Sequence, residues 1–191
     1  MATQKSYGEY SEFTCEELGI KFPKDEKHKT AGAVGSIEET LNTKTVTKKY
    51  KGIEAKIRVK GDGTGELKLS LHMNYDTYKK IYGMDLENLI EGVAAYGQNS
   101  VHSTFSLTAK VEDEDERIKY KAYPNCICKD GISRKIENGG EEVAEIEMTI
   151  SIMPDEYGNG MYEALEEGLE ETAKTKWMEE FTSALMQAKE L

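Results

Sequence analysis

The three histidines are the residues of this chain best suited to acid–base chemistry, and their surroundings do not predict an active site. His28 lies in a charged stretch, and His72 and His102 lie on the polar faces of alternating segments. A catalytic histidine works with a nucleophile or substrate within hydrogen-bonding reach, and none of the three has a nucleophile at a spacing typical of such pairs. The sequence therefore predicts no enzyme.

Three other groups of residues resemble metal or phosphate sites only in composition. Cys126 and Cys128 are two apart on a predicted strand, so they share a face, and a lone Cys-X-Cys pair favours buried thiols over zinc. The acidic run Asp113–Glu116 lacks the spacing of a calcium loop. The glycines of Gly61–Gly65 lack the helix and the Lys-Ser/Thr pair that follow in a phosphate loop. We expect no metal and no cofactor.

Length, charge and cysteine content limit the class of protein further. The 191 residues are enough for one domain with a sizeable core. The net charge of −11, from 36 acidic and 25 basic residues, argues against a surface for duplex nucleic acid. Three cysteines without a signal peptide favour a reducing compartment. No apolar run is long enough to span a bilayer, so no membrane partner is expected.

The elements that would carry these residues are mostly strands. Residues 101–111 alternate between apolar and polar side chains, which is typical of a strand with one buried face. An acidic tip, Glu112–Glu116, leads into a second alternating segment at Ile118–Tyr123, and together they predict a β-hairpin. A last alternating strand is predicted at Glu142–Met153, where Pro154 ends it.

A second hairpin is predicted at Ile53–Met73. Its alternating halves flank Gly61–Gly65, whose glycines tolerate the positive φ angles of a tight turn. Asp62, Gly63 and Thr64 would form its tip. The preceding segment, Thr30–Tyr50, predicts two strands or one bent strand.

Two helices complete the prediction. Asn74 or Asp76 can cap a short helix that ends at Gly83. Met161–Leu191 has helix-forming composition, with apolar residues about four positions apart. The largest residues of this stripe are Trp177, Phe181 and Leu185. The stripe would pack either on the chain's own sheet or on a neighbouring subunit, and both alternatives stay open.

Three segments carry a resemblance to a known family. They are KIRVKGDGTGELKLSLHMNYDTYKKIYG, FSLTAKVEDEDERIKYKAYPNC and EEVAEIEMTISIMPD. Their order of glycine-tipped hairpin, short helix, alternating strand, acidic tip, Lys-Tyr-rich strand and last strand resembles the major tail (tail tube) proteins. These are proteins of long-tailed, non-contractile phages of Gram-positive bacteria. The resemblance covers roughly residues 32–155 and includes no catalytic motif.

This resemblance implies a mainly β fold, a β-sandwich or barrel-like core with a short flanking helix and a C-terminal helix. Residues 1–30 would form an N-terminal arm, residues 31–155 the tail tube domain and residues 156–191 a C-terminal helical arm. The subunits would form hexameric rings that stack into a tube, with the tape measure and other tail proteins as partners. Genome DNA would pass through without specific binding. The location would be the virion tail, assembled in the host cytoplasm.

Candidate lumen residues in such a tube follow from the polar faces of the strands. An acidic or neutral wall would repel phosphate, so that DNA slides without binding. The candidates are Glu145, Glu147, Thr149, Thr104 and Thr108. The basic face of Lys56, Arg58 and Lys60 suits the lumen less well and would pair with an acidic neighbour instead.

Candidate assembly contacts lie in two further places. One is the predicted hairpin tip at Asp62, Gly63 and Thr64, which has no hydrophobic anchor of its own. The other is the C-terminal stripe with Trp177, Phe181 and Leu185, large side chains of the kind that dominate interfaces.

Two other functions stay open at this point. One is a monomeric β-sandwich binding module, for carbohydrate or adhesion. The sequence lacks the clustered aromatic platform and the secretion signal expected of such a module. The tube protein of a contractile or secretion-type injection machine would show the same pattern, because the sheath is a separate protein. Size in solution separates the binding module from both tube proteins.

Overall fold

The computed structural model describes residues 7–136, 138–139 and 143–188, without the side chain of Ala55. Residues 1–6 of the predicted N-terminal arm, Glu142 of the predicted last strand and residues 189–191 of the predicted helix lie outside the described residues. The elements are β1 (Thr14–Lys21), β2 (Lys29–Thr30), β3 (Gly32–Tyr50), β4 (Ile53–Met73), α1 (Tyr75–Ile81), β5 (Thr104–Glu112), β6 (Ile118–Cys128), β7 (Ile146–Ile152), β8 (Tyr162–Leu165) and α2 (Glu171–Glu180). The mainly β fold class is confirmed.

All eight strands belong to one antiparallel sheet that curls on itself. The hydrogen-bonded order is β2-β1-β5-β6-β7-β4-β3, and β8 pairs with the first part of β6. β1 and β3 belong to opposite ends of this order, yet they lie close together. The sheet therefore approaches a barrel that is left open between β1 and β3.

The main core lies inside this curl and follows the predicted alternation. On β5 the buried positions include Phe105 and Leu107, and on β7 they are Met148, Ile150 and Ile152. The same core includes Leu18 and Ile20 of β1, Leu67, Leu69 and Leu71 of β4, and Tyr78 and Ile81 of α1. Each buried aliphatic side chain stabilises the fold by about 1.5–3 kcal/mol, so this cluster accounts for much of the stability.

The predicted turn at Gly61–Gly65 is wrong, because β4 runs continuously through it. The chain reverses instead at Lys51 and Gly52, between the paired residues Tyr50 and Ile53. The φ angles of Lys51 and Gly52 are 50° and 79°, the two positive angles of a type I′ turn, whose twist matches that of the flanking strands. The preceding segment is accordingly the single, irregular strand β3.

The glycine segment forms an irregularity in the sheet. Asn42 of β3 alone faces the three residues Asp62–Thr64 of β4. Gly63 has a φ of 78°, and a Cβ there would lie 2.6 Å from the carbonyl oxygen of Gly158. Glycine is therefore required both for the backbone angle and for the close approach of the two chains.

Helix α1 follows its prediction at both ends. Asn74 is the N-cap, since its side chain accepts a hydrogen bond from the backbone N–H of Asp76 at 3.0 Å. Gly83 follows the helix with a φ of 60°, as expected of a glycine at a helix C-terminus. Tyr78 and Ile81 bury one face of the helix in the main core.

The predicted single C-terminal helix is wrong, since α2 spans only ten residues and β8 precedes it. Short 3-10 helices at Glu166–Gly168 and Ser183–Met186 flank α2. Trp177 and Phe181 are buried against Tyr120 and Ala122 of β6. This second core covers the outer side of β6, so the stripe packs on the chain's own sheet.

Side chains from two other segments hold the C-terminal end of α2. Thr108 donates a hydrogen bond to the carbonyl oxygen of Met178 at 3.2 Å. His28 lies between Ser106 and the last turn of α2, with Nε2 2.9 Å from the Ser106 hydroxyl oxygen and Nδ1 3.2 Å from the carbonyl oxygen of Glu179. These partners satisfy carbonyl groups that a helix end leaves unpaired. The predicted N-terminal arm thus contributes β1 and His28 to the body.

We predict that Gly19→Ala destabilises the fold. A Cβ at Gly19 would lie 2.5 Å from the hydroxyl oxygen of Thr108 and 3.4 Å from the carbonyl oxygen of Met178, and overpacking of this kind costs about 1–3 kcal/mol. The measurement is the urea midpoint of unfolding. Gly97→Ala is the matched control, because a Cβ there meets nothing within 4 Å. Equal midpoints for the two variants would contradict the close packing of α2 on β1.

We also predict a loss of stability in mild acid that depends on His28. Burial lowers the pKa of His28 from 6.5 to about 4, because exclusion of water favours the neutral ring. The unfolded chain therefore binds this proton first, and the free energy of unfolding falls between pH 6.5 and 4 by at most about 3 kcal/mol. Urea titrations across this range should show a shallower decline for His28→Gln. Parallel declines would exclude His28 as the cause.

Candidate functional site

The three lumen candidates on or beside β7 share the side of the sheet that points away from the core. Glu145 and Glu147 are exposed and Thr149 is half-buried, whereas Met148 and Ile150, on the other side of the strand, are buried. The polar side predicted from the alternation is therefore present. Its role as a lumen wall stays a prediction.

Neighbouring strands extend this surface. The Ser70 hydroxyl of β4 donates a hydrogen bond to the Glu145 carboxylate, and Lys68 Nζ lies 3.1 Å from Glu38 Oε2 of β3. A Cβ on Gly35 would collide with the Glu145 carboxylate, so the glycine makes room for it. We call this surface the polar face; its members are Ser36, Glu38, Lys68, Ser70, Glu145, Glu147 and Thr149.

The two lumen candidates on β5 do not share one surface. Thr104 is exposed at the start of the strand. Thr108 is fully buried beneath α2 and bonded to the carbonyl oxygen of Met178, so its assignment to an exposed wall is wrong. Alternation along a strand identifies a polar side chain but not the element that packs over it.

Asp62, Gly63 and Thr64 lie where the hairpin leaves the body, not at its tip. The Asp62 carboxylate accepts hydrogen bonds from the backbone N–H of Thr64 at 2.9 Å and from its hydroxyl at 2.8 Å. These bonds hold the pKa of Asp62 below its usual range, with a smaller contribution from the charge of Lys44. These bonds hold the segment in its local conformation, and the close approach of Gly63 to Gly158 places it against the body.

Beyond this point the hairpin leaves the body as a two-stranded ribbon, residues 43–60. Every side chain described in the ribbon is exposed. Each strand contributes eight residues, which corresponds to a length of about 27 Å. Large apolar residues are exposed with the charged ones, namely Val46, Tyr50, Ile53, Ile57 and Val59. Neither side of the ribbon is covered by the body.

A network of charged residues at the open side of the barrel was not predicted. Lys121 of β6 is 7% exposed, and its Nζ lies 2.9 Å from Glu12 Oε1 and 3.0 Å from Glu39 Oε2 of β3. The Tyr123 hydroxyl donates to Glu39 as well. Alternation placed Lys121 and Tyr123 on one face, but no local signal identifies carboxylates so distant in sequence.

The pKa shifts in this network reflect burial together with the hydrogen bonds and ion pairs that its members form with one another. Burial raises the pKa of Glu12, but hydrogen bonds and the charge of Lys121 outweigh burial and leave the pKa lowered. Burial lowers the pKa of Lys121, and its hydrogen bonds to Glu12 and Glu39 more than compensate. Burial and the charge of Glu39 raise the pKa of Tyr123. A protonated lysine with two carboxylate partners cannot act as a base, so the network is suited to holding strands together.

Two of the cysteines and His102 are engaged within the fold. Cys126 and Cys128 are buried in the main core, as predicted, and burial raises the pKa of both thiols. His102 Nδ1 lies 2.7 Å from the carbonyl oxygen of Cys128, and its Nε2 lies 3.0 Å from the Tyr96 hydroxyl. Among the described residues, no group of three His, Cys, Asp or Glu side chains is placed to hold a metal ion.

The C-terminal candidates divide between core and surface. Trp177 and Phe181 are 2% and 3% exposed, and Trp177 Nε1 donates a hydrogen bond to the carbonyl oxygen of Lys121 at 3.1 Å. Leu185 is 38% exposed. Only Leu185 of the three is thus available on the surface of the single chain.

Comparisons with known proteins identify no family for this chain. No family model matches it. A search among curated proteins finds no significant relative. None of the helices in the described ranges is long and apolar enough to cross a membrane.

We predict that Trp177→Ala lowers the free energy of unfolding by about 3–5 kcal/mol, as expected when a large aromatic side chain leaves a cavity. Leu185→Ala should cost less than about 1 kcal/mol, because the side chain is partly in water already. Chemical denaturation of both variants checks this. A Trp177 variant as stable as the parent protein would show that the C-terminal segment is not part of the folded core.

Proposed function

We propose that this protein is the tail tube subunit of a long-tailed, non-contractile phage. Six copies would form a ring, and stacked rings would form a tube through which DNA passes. The protein would act in the virion tail, together with the tape measure and other tail proteins, as a structural component without turnover.

The unpaired outer edge of β3 carries this proposal. β3 is 19 residues long and pairs only with β4 within the described part of the chain. Its first part lies near β1 at the open side of the barrel, whereas residues 43–50 extend beyond the body. Such an edge presents unpaired backbone N–H and C=O groups, which is a liability for a protein that stays monomeric. Pairing with a neighbouring subunit would satisfy these groups and would continue the sheet from one copy to the next.

The polar face adds support for a passage that carries DNA. It combines the carboxylates of Glu145 and Glu147 with neutral hydroxyl groups, and its amine at Lys68 is paired with Glu38. Fixed negative charge repels phosphate, so a lumen lined in this way would let the polymer slide.

The direct test is the size and shape of the purified full-length protein. We expect rings or tubes in negative-stain electron microscopy, and a light-scattering mass that is a multiple of six subunits. A monodisperse monomer at every protein and salt concentration would contradict the proposal.

We predict that Glu145→Lys with Glu147→Lys makes the assembled protein retain DNA. Both side chains lie opposite the core, so the fold should stay intact while the polar face becomes attractive to phosphate. Retention should decrease as salt rises, because each phosphate contact releases counterions. The measurement is co-sedimentation of labelled DNA with assembled protein.

The matched control for this charge reversal is Glu87→Lys with Glu91→Lys. These two glutamates are exposed on a loop between α1 and β5, and the net charge changes by the same amount. Equal DNA retention by both double variants would show that overall charge, and not the polar face, governs binding.

A further inference from the structure

The ribbon has two faces of different chemical character. Cross-strand partners share a face, and successive pairs alternate between faces. One face, which we call the basic face, carries five basic side chains and one valine; its pairs are Lys44–Lys60, Val46–Arg58 and Lys48–Lys56. The other, the neutral face, carries threonines and branched apolar side chains; its pairs are Thr45–Val59 and Thr47–Ile57.

The basic face places like charges directly opposite each other. Lys44 faces Lys60, and Lys48 faces Lys56, an arrangement that destabilises a pair of strands. A two-stranded ribbon is already marginal in water without a third strand or a covering element. The ion pairs of the described residues include none of these lysines, although the charge of Lys44 acts on the Asp62 carboxylate at the base of the ribbon. The ribbon is therefore built with a charge that its own chain does not neutralise.

Over the body, the lysine on this side of β3 and β4 is paired with a glutamate. The alternation is preserved across the irregularity at Asn42, so the basic face continues the side that carries Glu38 and Lys68. These two residues are direct cross-strand partners and form an ion pair at 3.1 Å. On this side of the strand pair, the uncompensated positive charge thus lies on the ribbon and not over the body.

The rest of the chain carries the opposite charge in excess. Residues 43–60 contain seven basic residues and one acidic residue, a net charge of +6. The other 173 residues contain 18 basic and 35 acidic residues, a net charge of −17. Complementary charges on one chain that do not meet within that chain can meet between two copies of it.

We propose that the basic face of the ribbon binds the acidic body of a second copy of this chain. This inference rests on the proposed function only in requiring that the chain self-associates. It adds the part of the molecule that makes the contact, the face that is used and the electrostatic nature of the recognition. Carboxylates of the partner would lie between the opposed lysines, reduce their mutual repulsion and so stabilise the ribbon on contact.

Nucleic acid is the other polyanion that five basic side chains attract, and the ribbon is less suited to it. Tyr50 is the single aromatic residue of the ribbon. It pairs with Ile53 at the turn and does not belong to the basic face. Single strands are held by bases stacked on aromatic rings, and the basic face offers none. The acidic excess of the remaining chain favours a protein partner.

The experiment compares two triple variants of the full-length chain that change the net charge equally. Lys48→Gln, Lys56→Gln and Arg58→Gln neutralise the basic face. Thr43→Glu, Thr45→Glu and Thr47→Glu add the same negative charge to the neutral face. Self-association is measured by sedimentation velocity at about 0.05 M and 0.5 M NaCl, since salt screens exposed charges. Thermal unfolding of each variant verifies that the body is folded.

We expect the basic-face variant to associate at least tenfold more weakly than the parent at low salt. The neutral-face variant should lose less than threefold, and the difference should vanish at high salt. Equal losses in the two variants would overturn the proposal, because net charge and not the basic face would then be responsible. Unchanged association of the basic-face variant would also overturn it.

A second measurement tests nucleic acid as the partner. Fluorescence anisotropy with a labelled 20-base-pair duplex and a labelled 20-nucleotide single strand should show no binding by the parent that the basic-face variant loses. Binding lost only in that variant, with self-association unchanged, would overturn the proposal in favour of a nucleic-acid partner.

These outcomes separate the inference from the proposed function. If the parent forms rings or tubes and the basic-face variant forms them equally well, the inference fails and the tube subunit stands. If the parent forms only salt-sensitive dimers that the basic-face variant loses, the inference stands and the tube subunit fails. A parent that is monomeric at low salt would overturn both.

Discussion

The curled sheet depends on one buried lysine that bridges distant parts of the chain. Lys121 of β6 reaches Glu39 of β3 and Glu12 before β1, although β3 and β6 are not neighbours in the sheet. A buried charge is costly unless it is paired and hydrogen-bonded. The sheet must therefore curl until these carboxylates reach the amine. Apolar packing favours a compact shape but has no direction. The ladder with β4 holds β3 in the sheet, and the ion pairs add a direct, specific contact between β3 and β6.

The position of Glu39 also explains why the hairpin has two different halves. Up to Glu39, β3 lies against the body, where its carboxylate meets Lys121 and Tyr123. From Leu41 onwards its side chains are exposed, because the strands that could cover them end or turn away. One strand pair therefore serves as part of a folded core at one end and as a ribbon at the other.

The sequence predicted those features whose cause is local. The Asn74 cap, the buried alternation of β7 and the polar positions of Glu145 and Glu147 all depend on neighbouring residues. The prediction of a turn at Gly61–Gly65 was wrong, because glycine permits a turn without requiring one. Gly63 instead allows close approach to another loop. The prediction for Thr108 was wrong for a different reason, because α2, near the C-terminal end of the chain, covers this side chain. Contacts between residues far apart in sequence leave no local pattern.

On the outer side of β3 and β4, cross-strand charges are opposite over the body and alike on the ribbon. Over the body, Lys68 faces Glu38, and each neutralises the other. Because the two are direct cross-strand partners, this ion pair costs little side-chain conformational entropy. On the ribbon, Lys48 faces Lys56, and these like charges repel each other. No interaction described within the chain offsets this repulsion. The neutral face has no covering element either. A two-stranded ribbon with both faces uncovered is marginal in water, so the association proposed above would supply stability that the ribbon lacks.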